Sequence, residues 1–178
     1  MSCIYRRKKA RYLCYLTAKR NFSPEIRKAT LTDLDEIYKI EVECFVEEAF
    51  TYSQLKYCLR SPDFVTLIAL INGEALGFII GSLEGLRGKI VGHVYTLDVK
   101  RKFRRIGIGS ALLEAIEKIF ISKGAKRSYL EVRLDNIAAK RLYLKHCYRL
   151  KKVIRNYYGP GLDAARFEKD LRRERNAF

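Results

Sequence analysis

The sequence holds no tryptophan, its one methionine is Met1, and no acidic residue precedes Glu25. Its longest apolar run, Phe64 to Ile71, is strand-sized and far below the roughly 18 residues of a membrane span, so no membrane partner is expected. The apolar stretch Tyr12 to Leu16 is too short for a secretory core, which argues against export and for a cytoplasmic protein. Cysteine pairing is missing too. Cys3, Cys14, Cys44, Cys58 and Cys147 are odd in number and show neither C-x-x-C nor any other metal-ligand spacing. A disulfide framework and a zinc site are therefore unexpected, and reduced thiols with no metal are the simpler reading.

What is present points to one globular domain. The chain has 178 residues, of which 48% are hydrophobic, enough for a single core. Lys and Arg number 36 against 20 Asp and Glu, a formal net charge of +16. That imbalance suits a polyanionic partner: nucleic acid, an acidic protein surface or a phosphorylated cofactor. Residues 1–24 concentrate part of it in Arg6, Arg7, Lys8, Lys9, Arg11, Lys19 and Arg20, read as a solvated or ribosome-contacting extension, with a transit peptide as the alternative. Residues 25–171 make the expected domain and 172–178 a charged tail.

Periodicity orders the elements. "EIRKAT" reads as a short strand, and the following segment sets Leu34, Ile37, Tyr38, Cys44 and Phe45 near one helical face, with Thr32 and Asp35 as a capping-box-like start. A second helix, Ser53 to Leu59, should stop before Pro62. Two β-rich runs joined by Asn72-Gly73 predict a type I′ hairpin. A strand over Lys89 to Val99 comes next, then a helix through Lys123 with Gly124 as its C′ residue. "RSYLEVRL", "LKKVIRNYY" and "DAARFEKDL" read as strands, with the helix "NIAAKRLYLKHCY" after the first of them. The order β-α-α-β-β-β-α-β-α-β-β describes a small α/β (α+β) fold, a mixed and mostly antiparallel sheet with helices on both faces.

The segment "RKFRRIGIGSALLEAI" runs two arginines and two glycines directly into an apolar helix. Such a loop presents unpaired N–H groups at the positive end of a helix dipole, and glycine lets a phosphate come close. A nucleotide P-loop is discarded, because G-x-x-x-x-G-K-[ST] is absent. A dinucleotide loop fits poorly, since Leu112 occupies the third glycine position, although Glu131 lies near the expected downstream spacing. Glycines chosen for packing, with solvated arginines, are the bland alternative.

The third reading rests on resemblance. Arg104-Arg105-Ile106-Gly107-Ile108-Gly109 resembles the [RQ]-x-x-G-x-[GA] coenzyme A signature of the GNAT acetyltransferases. "YLEVRLDNIAAKRLYLKHCY", Tyr129 to Tyr148, resembles a second signature seen in bacterial ribosomal-protein alanine acetyltransferases and in archaeal and eukaryotic N-terminal acetyltransferases. "RNYYGPGLDAARFEKDL" is similar to their C-terminal hairpin. Three motifs in family order span roughly Glu25 to Leu171.

The resemblance implies an acetyl-CoA-dependent N-acetyltransferase that acts on protein or peptide N-termini by direct attack in a ternary complex. A lysine or small-amine acceptor is the rival within the class; an inactive ribosome- or RNA-associated module is the rival outside it. By resemblance, Glu131 takes the amine proton, His93 is a second base, and Tyr143 faces the coenzyme sulfur. Arg104, Arg105, Ile106, Gly107, Ile108, Gly109 and Ser110 form the pyrophosphate loop. Asn136 supports the coenzyme arm, and Leu97 and Val99 offer backbone groups to it. Phe45 and Glu47, with Glu48 close behind, and the tyrosines Tyr157 and Tyr158 would meet the substrate. Cys147 stands where the family has glycine, which questions the local turn. Lys100, Arg101 and Lys102 exceed what the cofactor phosphates demand and leave a surplus to face acidic peptide or ribosomal RNA. A monomer or dimer is expected.

Overall fold

The computed structural model describes residues 23–45, 49–86 and 88–174. Glu47, Glu48, nearly all of the basic extension and the end of the charged tail lie outside the described residues. The elements are β1 (Glu25–Lys28), α1 (Leu34–Cys44), α2 (Tyr52–Arg60), β2 (Phe64–Ile71), β3 (Glu74–Leu86), β4 (Lys89–Val99), α3 (Ile108–Ser122), β5 (Arg127–Arg133), α4 (Ile137–Lys145), β6 (Arg149–Ile154) and β7 (Ala164–Asp170). One sheet orders them β1-β2-β3-β4-β5-β7-β6. Only β4 and β5 run parallel, joined by the α3 crossover; the other neighbours are antiparallel.

The sheet has a core on each face. On one, α1 and α2 bury Leu34, Ile37, Ile40 and Leu55 against Ile68, Phe78 and Ile80. On the other, α3 turns Ile108, Leu112, Leu113, Ile116 and Phe120 toward Ile79, Val94, Leu130 and Phe167. A Cβ at Gly92 would stand 2.2 Å from the Phe120 ring. Glycine there lets the aromatic ring lie against β4, an approach any larger residue would push apart.

Three local expectations change. The capping box is Thr30 with Asp33, two residues earlier than the sequence suggested, and a 3-10 turn, Leu31–Asp33, leads into α1. Asp33 wins because it also closes a 2.7 Å ion pair with Arg27 of β1. That pairing, stronger than the opposing effect of burial, holds its carboxyl down to about 2. Tyr38 turns outward, edge-on to Tyr52 with ring centroids 5.4 Å apart. β6 stops at Ile154 rather than continuing through the tyrosines, because Asn156 adopts φ 54° and accepts the Gly161 N–H at 2.7 Å. Tyr157 and Tyr158 therefore sit in the turn before β7. The Asn72-Gly73 turn does have both φ angles positive, 51° and 77°, as a type I′ hairpin requires. Cys147 keeps the turn expected of glycine by taking φ 65°.

Candidate active site

β4 departs from regular pairing at one point. Ile80 pairs with Thr96 and Gly81 with Val94, so Tyr95 is an extra, bulged residue. The parallel ladder to β5 covers only Val91–Val94 against Arg127–Leu130. Beyond it the two strands part, opening a wedge. The Lys100 N–H bonds Leu76 of β3 at 2.9 Å, so strand alternation turns the backbone groups of Leu97 and Val99 the other way, into the wedge. The Val99 carbonyl is already engaged by the Arg104 Nε–H at 3.0 Å and the Cys44 thiol at 3.5 Å. The Val99 carbonyl is thus occupied, and the Val99 N–H and the Leu97 backbone groups are left facing the wedge.

A cavity of about 500 Å³ fills the wedge between the end of β4, the start of α3 and the inner face of α4. That size suits a cofactor arm. Gly107 opens α3 at φ 100°, and no side chain caps the helix. A Cβ at Gly107 would meet nothing within 4 Å, whereas one at Gly109 would crowd Leu97 and Leu142 at 3.3 and 3.4 Å. The helix thus offers its first N–H groups to an open space and keeps its flank narrow. These features fit a pyrophosphate followed by a slender amide-bearing chain. Arg105, Ser110, Asn136, Arg141 and Lys145 also line the cavity. Ile108 is buried in the core, and Ile106 packs partly buried against it, so these two contribute backbone only. Asn136 caps α4 by accepting the Ala139 N–H at 3.0 Å, and Ser110 shares a 2.9 Å hydrogen bond with His146.

Tyr143 and Phe45 line the same cavity. Burial, then the charge of Asp98, pushes the Tyr143 phenol upward, so it stays protonated. Asp98, unforeseen from the sequence, is 2% exposed on this wall, where the Thr96 hydroxyl donates to it at 2.7 Å. Burial, reinforced by the facing Glu41 carboxyl, raises its pKa well above the usual carboxylate range.

The opposite face of β4 and β5 carries a charged cluster. The His93 ring lies between Glu84 and Glu131, with Nδ1 2.9 Å from Glu84 Oε1 and Nε2 2.9 Å from Glu131 Oε2. Tyr129 stacks on one side at 4.2 Å between centroids and Tyr95 on the other at 4.0 Å. Arg166 of β7 donates to Glu131 Oε1 at 2.6 Å, and Tyr158 donates to the Glu131 carbonyl at 3.1 Å. Burial works to raise the Glu131 carboxyl, but His93 and Arg166 outweigh it and hold it below the ordinary range. Glu84 is likewise lowered: burial is opposed by hydrogen bonds from Tyr129, His93 and Tyr95.

The fold thus brings Glu131, His93 and Tyr158 together where β4 and β5 begin to part, and sets the 104–110 loop at the open end of the wedge, beyond the end of β4. Tyr157 is half-exposed, its ring edge-on to Tyr158 at 4.9 Å. Glu84 and Arg166 were missed because, on alternating strands, an outward Glu or Arg reads as solvated. The basic run is corrected as well. Lys100 lies within 4 Å of Glu36 and Glu74, and Lys102 pairs with Glu74, so the charges of these two lysines are met inside the molecule, while the Arg101 backbone N–H bonds the Glu43 carboxylate and its Nε–H the Glu43 carbonyl. Among the described residues, no helix is long and apolar enough to cross a membrane, and no group of three or more His, Cys, Asp or Glu is placed to hold a metal ion.

Comparison with known proteins bears on this site. Residues 34–147 match the model of the acetyltransferase (GNAT) family. A protein of Sulfurisphaera tokodaii named N-alpha-acetyltransferase is 34% identical over 159 residues, which cover 84% of this chain and 95% of its own. Ard1 from Thermoplasma volcanium superposes with a TM-score of 0.74 at 26% identity, covering 84% of this chain and 98% of that one. Arabidopsis thaliana NAA60, solved in complex with acetyl-CoA, gives 0.76 at 20% identity, covering 83% and 98%.

Proposed function

The chain belongs to the GNAT acetyltransferase family, and we propose that it transfers acetyl from acetyl-CoA to the α-amino group of protein or peptide N-termini. The observation that carries this reading is the wedge itself. A slot with an open helix N-terminus at its wide end narrows toward the point where β4 and β5 part, beside a buried, ionised glutamate and a histidine. The name of the Sulfurisphaera relative supports an α-amine as acceptor, and the NAA60 complex supports acetyl-CoA as donor.

Bound acetyl-CoA would supply an activated acetyl group and a thiolate leaving group. The N–H groups at the start of α3, with Arg105 and the Gly107 and Gly109 backbone, hold the pyrophosphate. Leu97 and the Val99 N–H meet the pantetheine amides, and Asn136 shapes the far wall. Arg104 acts indirectly, by bracing the β4 end through Val99 and Cys44. An α-ammonium has a pKa of about 8, so roughly a tenth is neutral at pH 7 and only a weak base is needed. Glu131, kept ionised, draws the ammonium to the point where β4 and β5 part and, with His93, receives its proton. Direct attack follows without a covalent enzyme intermediate. Tyr143, a neutral phenol in the cavity wall, donates toward the departing sulfur. Phe45 and the turn tyrosines Tyr157 and Tyr158 flank the incoming chain. Glu47 and the basic extension, the latter with its ribosomal reading, lie outside the described residues.

The test is acetyl transfer from labelled acetyl-CoA to peptides starting Met-Leu, Ser, Ala and Glu, alongside a peptide whose only free amine is a lysine side chain. Labelling of free N-termini alone is expected. Labelling confined to lysine would move the acceptor to the rival class, and failure to bind acetyl-CoA would sink the enzyme reading.

A further inference from the structure

Glu84 is the most heavily hydrogen-bonded side chain of the charged face, and the reaction proposed above gives it no role. Its Oε1 lies 2.9 Å from His93 Nδ1 and accepts from the Tyr95 hydroxyl at 2.9 Å; its Oε2 accepts from the Tyr129 hydroxyl at 2.5 Å. Ser82 adds a longer contact at 3.5 Å. Three of these four donors belong to side chains nine or more residues away in sequence, so a solvated strand glutamate would not gather them. The placement has an order. Glu84 pairs across β3 and β4 with Val91, toward the closed end of the wedge. His93 pairs with Tyr129 two ladder positions on, and Glu131 follows the last paired residue, Leu130, where the strands begin to part.

We infer that Glu84 is a positioning residue for the reaction, holding His93 by Nδ1 so that Nε2 addresses Glu131 where β4 and β5 begin to part. This rests on the acetyl-transfer reading above. Stacking between Tyr95 and Tyr129 stops the ring from turning about its own plane, but stacking cannot choose which nitrogen carries hydrogen. A carboxylate only accepts, and each ring nitrogen faces one at 2.9 Å, so a ring carrying one hydrogen serves only one of the two. Donation from Nδ1 to Glu84 leaves Nε2 to share the proton that Glu131 receives when the substrate N–H bond breaks. The ring then donates to both carboxylates while the freed lone pair attacks the acetyl carbon. The arrangement parallels the carboxylate that orients histidine in hydrolase triads.

The charged and titratable groups facing this cluster are Glu84 from β3, His93 and Tyr95 from β4, Tyr129 and Glu131 from β5, Arg166 from β7, Tyr157 from the turn and Cys58 from α2. Arg166 also lies over the Tyr129 ring at 4.7 Å, so it sets the charge of Glu131 rather than that of Glu84.

The experiment is the pH dependence of kcat for Glu84→Gln, with folding checked by thermal melting and coenzyme affinity by calorimetry. Glutamine keeps the shape and removes the charge. The plateau is expected to fall about tenfold with both KM values within about twofold, and the acidic limb to move about one unit to lower pH, because one stabiliser of the protonated cluster is gone. Glu84→Asp should return part of the rate and restore the limb. An unmoved limb in an active, folded Gln variant overturns the proposal, since a merely structural glutamate would lower rate or stability without it. If the Gln variant does not fold, Tyr129→Phe replaces it. That change strips one donor from Glu84 but keeps the stacked ring, and the limb should rise; an unmoved limb again overturns the proposal. Absence of transfer by the unaltered protein would remove the acetyl-transfer reading and this one with it, whereas a normal wild-type profile with an unmoved variant limb removes this one alone.

Discussion

On the proposed function, the coenzyme slot would meet its ligand with backbone, whereas the charged face beside the parting of β4 and β5 would meet its ligand with side chains. From Arg104 to Ser110 the groups offered are N–H donors at the start of α3, and two glycines would regulate how near a ligand comes. From Glu84 to Arg166 they are carboxylates, an imidazole and a guanidinium drawn from four strands. A backbone cradle needs only a short contiguous stretch, so it leaves a motif. A side-chain cluster assembled across a sheet leaves isolated residues that look ordinary one by one. The two regions share only the parting of β4 from β5, and each can be damaged without the other.

Gly107→Glu should break the slot and leave the face intact. It puts a side chain on a backbone at φ 100° and a carboxylate where an anion belongs; calorimetry should show acetyl-CoA affinity falling by about a hundredfold or more in a folded protein. Tyr143→Phe tests the junction of the two regions. Turnover should fall about tenfold while coenzyme affinity changes little, because in the proposed reaction the hydroxyl serves the departing sulfur and not the phosphates. Normal acetylation by this variant would remove Tyr143 from the chemistry.

Arg166→Gln should disturb the face alone, and its signature is in stability against pH. The folded Glu131 carboxyl lies below its ordinary value of about 4.3, so its ion pairing adds stability that is complete above that value and is lost as pH falls through the folded one. The variant should be about 2 kcal/mol less stable near neutral pH, with the gap to wild type closing on acidification, in melts between pH 3 and pH 7. A gap that stays constant would show that Arg166 acts by packing on Tyr129. Cys147→Gly touches neither region. It relieves a non-glycine residue at φ 65° and should add about 1 kcal/mol of stability with coenzyme binding and turnover unchanged.

Legibility followed the same division. β4 runs over Lys89–Val99, α3 ends one residue before Lys123, and Gly124 takes φ 90° as a C′ glycine does. All of these are set by local propensity and periodicity. The capping box moved from Thr32 to Thr30 because Asp33 had an ion-pair partner on β1 that no local pattern contains. β6 ended early for a related reason: Asn156 is held by contacts with Gly161 and Asp163 that close the turn. Nothing in the sequence marks Asp98, and its burial in the folded chain, reinforced by the facing Glu41 of α1, makes it a raised acid.

By itself the sequence determined the order of elements, the helix-opening glycine loop and the membership of Glu131, His93 and Tyr143 in a family pattern, since each depends on neighbours within a few residues. Only the tertiary structure decided what those groups touch. Glu84 to His93 spans 9 positions, His93 to Glu131 spans 38 and Glu131 to Arg166 spans 35. Sheet pairing closes those distances to hydrogen-bond length, and the bulge at Tyr95 with the short β4–β5 ladder sets where the wedge opens.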